Sequence, residues 1–402
     1  MSRPFQGRRV LLGVTGGIAS YKSALLARLL HKAGADVDVV LTRSASEFVG
    51  PITFEALTGR AVHTELIERG NALDHIRLAR EAELVVVAPA TADFLARAVS
   101  GRADDLLSAC LLATTAPVLL APAMNDRMWA HPAVRENATR ARSIGYTVLD
   151  PVEGDLAAGE GQGPGRLPDP EVIFAHAARL LEPATSLHGR QVVVSAGPTR
   201  EPLDPVRFLS NHSSGRMGVA IAAAAWRRGA NVRLIAGPLA VPAPVGVTVE
   251  PVETTAQMRD AVSAAIGAAD VLVMAAAPAD FRPADPAARK IKKRDGLETV
   301  GLEETPDILA STRSARAPGM IAVGFALETN DVEANALAKL QAKELDLVVM
   351  NDATEPGAGF GVDTNRVTIL GADGSRDALP LLTKDEVADR LLDRVQRLLD
   401  GR

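Results

Sequence analysis

Cysteine is nearly absent. Cys110 is the only one in 402 residues, which excludes an internal disulfide and any zinc site built on thiolates. Within DDLLSACLLATTA it reads as a small, buried helix residue. No apolar run approaches the roughly 20 residues that a membrane-spanning helix needs. The opening MSRPFQGRRVLLGV has only a five-residue apolar run before a glycine turn, too short for a secretory signal. Neither sign of charge dominates, since 44 Lys and Arg against 49 Asp and Glu leave −5. Such a balance gives no field for nucleic acid or an anionic membrane. These absences point to a cytoplasmic enzyme long enough for two cores.

Two familiar nucleotide signatures are also missing. The glycine-dense stretch LAAGEGQGPGRL (156–167) lacks a Gly-Lys-Ser/Thr ending and a helix straight after it, so it is no P-loop. The first glycine turn is spaced Gly13-x-x-Gly16-Gly17 instead of G-x-G-x-x-G. A dinucleotide site also wants an acidic residue after the second strand, where this chain has Thr42-Arg43-Ser44. Hydroxyls and a guanidinium suit one phosphate monoester better than a ribose diol, so a mononucleotide such as FMN fits better. An ordinary tight turn is the competing reading of this motif alone.

What is present comes twice. Arg9–Val14 is a short apolar run leading into TGGIAS, then a helical pattern with Leu25, Leu26, Leu29, Leu30 and Ala33 on one face. Gly34 stops that helix and VDVVLT starts a second strand, a parallel βαβ unit. A comparable unit begins at Gln191, with strand VVVSAG, helix VAIAAAAWRRG and strand NVRLIAG. AELVVVAPATADF (82–94) and ADVLVMAAAPADF (269–281) match as strands entering a Pro-Ala/Thr turn and an Asp. The pattern predicts two Rossmann-like α/β domains, 1–182 and 190–402, with 183–189 as linker.

Three polar groups fall where loops leave strand carboxyl ends, the usual ligand crevice of open α/β sheets. Asp74 is placed to cap the helix HIRLAREA. That puts His75 in the first turn, where a neutral imidazole is a usable base or orienting group; a surface-turn histidine is the alternative. PATAD (89–93) and PAMN (122–125) line the same crevice. Asn125 could orient a carboxylate or simply be a turn residue, while Met124 packs on a flat ring.

TGGIAS, DHIRL, PATAD and PAMNDRMW, in that order, resemble the flavin-dependent cysteine decarboxylases. SAGPTREPLDPVRFLSNHSSGRMG resembles bacterial phosphopantothenate–cysteine ligase. Over about residues 8–400 the chain is similar to the bacterial bifunctional coenzyme A biosynthesis family, a fusion of the two enzymes. The resemblance implies a flavodoxin-like flavoprotein domain followed by a nucleotide-binding ligase domain. It implies FMN at Gly16, Gly17, Ile18, Ser44, Pro89, Ala90 and Thr91, His75 as catalytic base, and Asn125 on the substrate carboxylate. Asp93, where many relatives have asparagine, is left out of the flavin contacts. The family chemistry takes a hydride from the thiol-bearing carbon, and the resulting thioaldehyde accepts the electrons left by CO2.

For the second half, the resemblance implies 4′-phosphopantothenate, cysteine and CTP as substrates, with Mg2+ held through the CTP phosphates. CTP over ATP follows from the family and from no residue. HSSGRMG (212–218) opens a helix suited to phosphate. Asn211 and Arg207 are implied at the acyl-nucleotide and substrate. RKIKKR (289–294) reads as a lid over a triphosphate, with Lys290 the nucleotide-contacting lysine; a solvated face is the plain alternative. Ala275, Ala276, Asp280, Pro306, Asp307, Ile308, Leu309, Phe325, Lys339 and Lys343 match further CTP positions. Lys339 and Lys343 share one helix face.

The glycine-dense stretch matches the family's substrate clamp, a flexible lid anchored by Arg166. Where many relatives carry a proton-donating cysteine, this chain has Ala158. Water trapped under the clamp is the favoured donor, Glu160 the second, and an impaired decarboxylase the third reading. The resemblance also implies trimeric flavin domains joined through dimeric ligase domains, as in a dodecamer. Two readings from other classes compete. A flavoprotein that binds and inhibits a phosphatase has no use for residues 190–400 and typically bears an acidic tail. An NAD(P)H-dependent reductase needs the acidic residue missing after the second strand.

Overall fold

The computed structural model describes residues 4–67, 73–155, 159, 161–182, 187–293, 299–328, 331–352, 359 and 361–401. The chain separates into two compact units, Arg3–Glu182 and Pro183–Arg402.

The first unit is built on six parallel strands: β1 (Arg9–Val14), β2 (Asp36–Leu41), β3 (Val62–His63), β4 (Leu84–Ala90), β5 (Val118–Pro122) and β6 (Thr147–Val148). Their order is β3-β2-β1-β4-β5-β6. Without the two-residue edge strand β3, this is the flavodoxin order. The apolar runs arise because helices cover both faces. Val10, Leu12 and Val14 enter one core with Leu26, Leu30 and Ile173, whereas Leu11, Val85 and Val87 enter the other with Phe94 and Leu107. The helix Ser20–Lys32 buries Ser23, Leu26, Ala27 and Leu30 but leaves Leu25 half-exposed, so its inner face is rotated from the expected stripe. A hairpin of β7 (Val152–Asp155) and β8 (Gln162–Arg166) follows. Gln162–Arg166 of the glycine-dense stretch is therefore paired strand.

In the second unit, β9 (Gln191–Ala196) is followed by the small ribbon β10 (Arg200–Pro202) and β11 (Phe208–Ser210). Next come β12 (Asn231–Ala236), β13 (Thr248–Pro251) and β14 (Val271–Met274), then a second ribbon, β15 (Phe281–Pro283) and β16 (Leu302–Glu304). After these run β17 (Ile321–Glu328), β18 (Leu347–Asp352), β19 (Thr364–Asn365), β20 (Thr368–Gly371), β21 (Arg376–Ala378) and β22 (Leu382–Thr383). The main sheet runs β13-β12-β9-β14-β17-β18-β20-β21, with six parallel strands in Rossmann order and two antiparallel at the edge. Gly218 allows the helix Arg216–Arg227 to lie on β9, since a Cβ there would meet Ala196 Cβ at 2.5 Å. Among the described residues, no helix is long and apolar enough to cross a membrane.

Candidate active sites

The first crevice forms at the carboxyl ends of β1, β2, β4 and β5. A Cβ on Gly16 would lie 2.4 Å from Ser44 Cβ, so only glycine lets the turn rest against the end of β2. A Cβ on Gly17 would meet nothing within 4 Å, which leaves that side of the turn open. Thr15 Oγ1 donates to Pro89 O (2.8 Å) and accepts from Thr91 N (3.0 Å), tying the turn to the end of β4. Thr91 in turn caps the helix Ala92–Ser100 by accepting from Phe94 N at 3.2 Å. Open glycine amides, the exposed Ser44 hydroxyl and the apolar Pro89–Ala90 edge suit a phosphate monoester carrying a flat ring. The donor set fits a flavin mononucleotide.

Asp74 is not the helix cap that the sequence suggested. Leu73 occupies that place and Asp74 is the first helical residue. Its carboxylate is already engaged, by Arg77 Nε at 3.1 Å and His63 Nδ1 at 3.2 Å. His75 follows in the first turn, half-buried, and its Nδ1 is shielded from solvent with no hydrogen-bond partner among the described residues. Of the two readings offered for Asn125, the structure shows the turn residue. Its Oδ1 caps the helix Asp126–Ala130 by accepting from Arg127 N (2.9 Å), which fixes the amide and frees Nδ2 to donate.

The hairpin packs on this same loop. Met124 N donates to Gly165 O (3.0 Å), and a Cβ on Gly165 would lie 2.1 Å from Met124 O. A Cβ on Gly163 would meet Asp126 Cβ at 2.9 Å. These glycines serve close approach more than hinging. Arg166 Nη2 donates to Asp169 (2.7 Å), and the buried Lys22 amine reaches Asp169 (2.9 Å) and Leu167 O (3.0 Å). Lys22 therefore fastens the hairpin base to the helix behind the glycine turn, a contact that its sequence position did not signal. Ala158 and Glu160 lie outside the described residues. Cys110 is buried, and burial followed by the charges of Asp74 and Asp105 pushes its thiol up to about 12.

In the second unit, a cavity of about 350 Å3 opens beyond the ends of β14 and β17. Ala276, Asp280, Pro306, Asp307, Ile308, Leu309, Phe325, Lys339 and Lys343 line it together, as do Thr255 and Thr305. Lys339 Nζ donates to Phe325 O (2.6 Å) and Lys343 pairs with Asp307. Burial works to raise the Asp307 carboxyl, but hydrogen bonds from Lys343 and Ala310 N hold it below the usual range. Its rear wall is a network that the sequence reading missed. Glu201, buried, accepts from Thr255 N and Oγ1 (both 2.8 Å), and Thr199 bridges Thr255 (2.9 Å) and Ala279 N (2.9 Å). Spaced threonines give no periodic signal.

A second cavity of about 380 Å3 shares Ala276, Pro278, Asp280, Phe325 and Lys339 with the first. Ala275, Asn211 and the Ser213–Met217 turn line it, as do Asn351, Asn365 and Lys384. Asn211 Nδ2 holds the opposite turn through Ala277 O (3.2 Å) and Pro278 O (3.0 Å). Ser195 Oγ accepts from Ala276 N (3.1 Å) beneath it. Arg207 and Lys290 line neither cavity. Arg207 instead clasps buried Asp204 (Nε, 3.0 Å) and Ile291 O (2.8 Å), and Lys290 is exposed beside that latch. The Arg207 hydrogen bond, with backbone donors from Val206, Ile291 and Arg207, holds the Asp204 carboxyl far below the usual range.

A flavin-type cradle on one sheet and a nucleotide-type double cavity on another define a two-part α/β enzyme. Residues 1–181 match the family Flavoprotein, and 187–399 match DFP, the DNA/pantothenate metabolism flavoprotein C-terminal domain. "Coenzyme A biosynthesis bifunctional protein CoaBC" of Bacillus subtilis is 46% identical over 396 residues, 97% of each chain. The protein of the same name from Mycolicibacterium smegmatis is 47% identical over 407 residues, 98% of each. A crystal structure of the C-terminal domain of such a protein is 38% identical, covers 54% of this chain and 99% of its own, with a TM-score of 0.47. The chain belongs to the family of bifunctional coenzyme A biosynthesis proteins. It is an enzyme of that biosynthesis with a decarboxylase and a ligase activity in one chain.

Proposed function

We propose that the second unit joins cysteine to 4′-phosphopantothenate through an acyl-cytidylate made from CTP, and that the first decarboxylates the product to 4′-phosphopantetheine with FMN. The observation that carries the ligase half is that nine of the eleven residues expected at the nucleotide line one cavity. A carboxylate is a poor electrophile until an oxygen joins the α-phosphorus of CTP and pyrophosphate leaves. Lys339 and Lys343 supply positive charge at that cavity, and Mg2+ arrives on the nucleotide's phosphates. The cysteine amine then attacks the acyl carbon and CMP departs. Arg207 and Lys290 act in this reading from the latch beside the cavities. Omitting cysteine tests it: the account expects pyrophosphate release and a trapped acyl-cytidylate, and CTP left intact would refute it.

In the first unit, Gly16, Gly17, Ile18, Ser44, Pro89, Ala90 and Thr91 hold the flavin. FMN supplies a two-electron acceptor that makes the thiol-bearing carbon a sink for the electrons released with CO2. Asn125 Nδ2 donates to the substrate carboxylate, since its Oδ1 is tied to the helix. His75 Nδ1, shielded and without a hydrogen-bond partner among the described residues, takes the proton role. Met124 and Arg166 act on the substrate side, under a hairpin that excludes bulk water. With Ala158 in place of a thiol, water held there returns the last proton.

This chemistry belongs in the cytoplasm, in keeping with the single cysteine. Trimeric flavin units joined through dimeric ligase units complete the proposal. Exposed Ile18, Tyr21, Phe48 and Ile52, on and near the glycine turn, support self-association of the flavin unit.

A further inference from the structure

Lys384 opens the last helix, Lys384–Asp400, behind a Thr383–Glu386 capping box. A cation there sits at the positive end of the helix dipole, the unfavourable end. The residue is only 7% exposed, and burying an ammonium is costly unless it is paired. Its amine meets two carbonyl oxygens, Gly359 O (3.1 Å) and Val362 O (2.5 Å). The neighbouring carboxylate, Asp363, is engaged by Arg216. Among the described residues Lys384 makes no ion pair. Burial first, and Arg216 second, pull its pKa down.

The surroundings supply what an anion needs. Lys384 lines the second cavity together with the start of the 12-residue helix Arg216–Arg227, whose first N–H groups have no partner within the helix. Asn365 in the same wall is 4% exposed, and its Oδ1 has no partner among the described residues. That acceptor awaits a donor such as a water of a hydrated cation. Among the described residues, two of the ammonium's three N–H groups are used on carbonyls, which leaves one for a ligand.

We infer that Lys384 is a phosphate-binding residue of the ligase, holding the β- and γ-phosphates of the nucleotide and the pyrophosphate that leaves. The inference rests on the ligase reading above. The two cavities share five residues, so a nucleotide seated in the first extends its phosphates into the second. In the activation step, a carboxylate oxygen of 4′-phosphopantothenate bonds to the α-phosphorus. The bond from that phosphorus to the bridging oxygen breaks, and pyrophosphate leaves with the electron pair. The buried ammonium meets the charge that builds on that leaving group.

Two variants of the full-length protein separate this role from a structural one. Lys384→Gln keeps donors for both carbonyls and removes the charge, whereas Lys384→Met removes both. The probes are inorganic pyrophosphate with Mg2+, and CMP for the nucleoside cavity, each titrated by calorimetry. Both variants should bind CMP like the parent and lose about tenfold or more in pyrophosphate affinity. The KM for CTP should rise by a similar factor while that for 4′-phosphopantothenate stays within about twofold. Decarboxylation of supplied phosphopantothenoylcysteine should be unchanged. Parent-like pyrophosphate binding by Lys384→Gln beside an impaired Lys384→Met would make the lysine a structural clasp and overturn the inference. A rise in KM for 4′-phosphopantothenate alone would overturn it too, by moving the site to that substrate's phosphate. If Lys384→Met fails to fold, Lys384→Gln decides. A parent protein that binds neither probe removes the ligase reading, and the inference with it.

Discussion

His75 and Asn125 differ in what the surrounding chain already asks of them. Asn125 is held by a helix end, so only its Nδ2 is available, whereas His75 Nδ1 is shielded and has no partner among the described residues. Replacing His75 by Asn should leave flavin content and ligase turnover intact and lower decarboxylation by roughly 10²–10⁴-fold, the usual worth of a positioned base. Carbon dioxide release at the parent rate would remove His75 from the proton role. Asp204 makes a different prediction. Its folded pKa is depressed below the ordinary 3.8, so its contribution is present above that value and fades as pH falls toward the folded pKa. The Tm gap between the parent and Asp204→Asn should therefore be largest near neutrality and shrink below about pH 4; a gap independent of pH would contradict the latch. Gly16, Gly17, Thr91 and Asn125, read from the sequence, stand at loop ends after strands, where position itself carries meaning. Lys22, Lys384 and Glu201 were not legible, because a buried charge looks like any surface charge until the chain folds around it.

At the scale of elements, the glycine-dense stretch was not legible as strand, although its Gln162–Arg166 part pairs in a hairpin. Alternating glycines carry no apolar periodicity, and the reason for them is across the gap. Gly163 and Gly165 lie against Asp126 and Met124, contacts with no trace in local sequence. Gly165→Val should push β8 off that loop, at a cost of about 1–3 kcal/mol for overpacking. The expected result is a raised KM for phosphopantothenoylcysteine with flavin retained and ligase rates unchanged. A parent-like decarboxylase KM would show that the hairpin does not shape the substrate pocket. The Asp74 cap failed for a related reason. His63 and Arg77 compete for the carboxylate, so a residue suited to capping became the first helical residue instead.

For the whole molecule, the repeated strand–turn–helix pattern carried the architecture. Strands buried on both faces read as continuous Val and Leu runs, and those runs recur in the same order in each half. The edge of the second sheet was less legible, since β20 and β21 are four and three residues long and too short for periodicity. The central claim is that one chain performs two consecutive reactions. It is tested most directly by incubating the purified protein with 4′-phosphopantothenate, cysteine, CTP and Mg2+ and following pyrophosphate, CO2 and 4′-phosphopantetheine together. The account predicts all three in equal amounts, with none formed when CTP is omitted. Pyrophosphate and phosphopantothenoylcysteine accumulating without CO2 would contradict it.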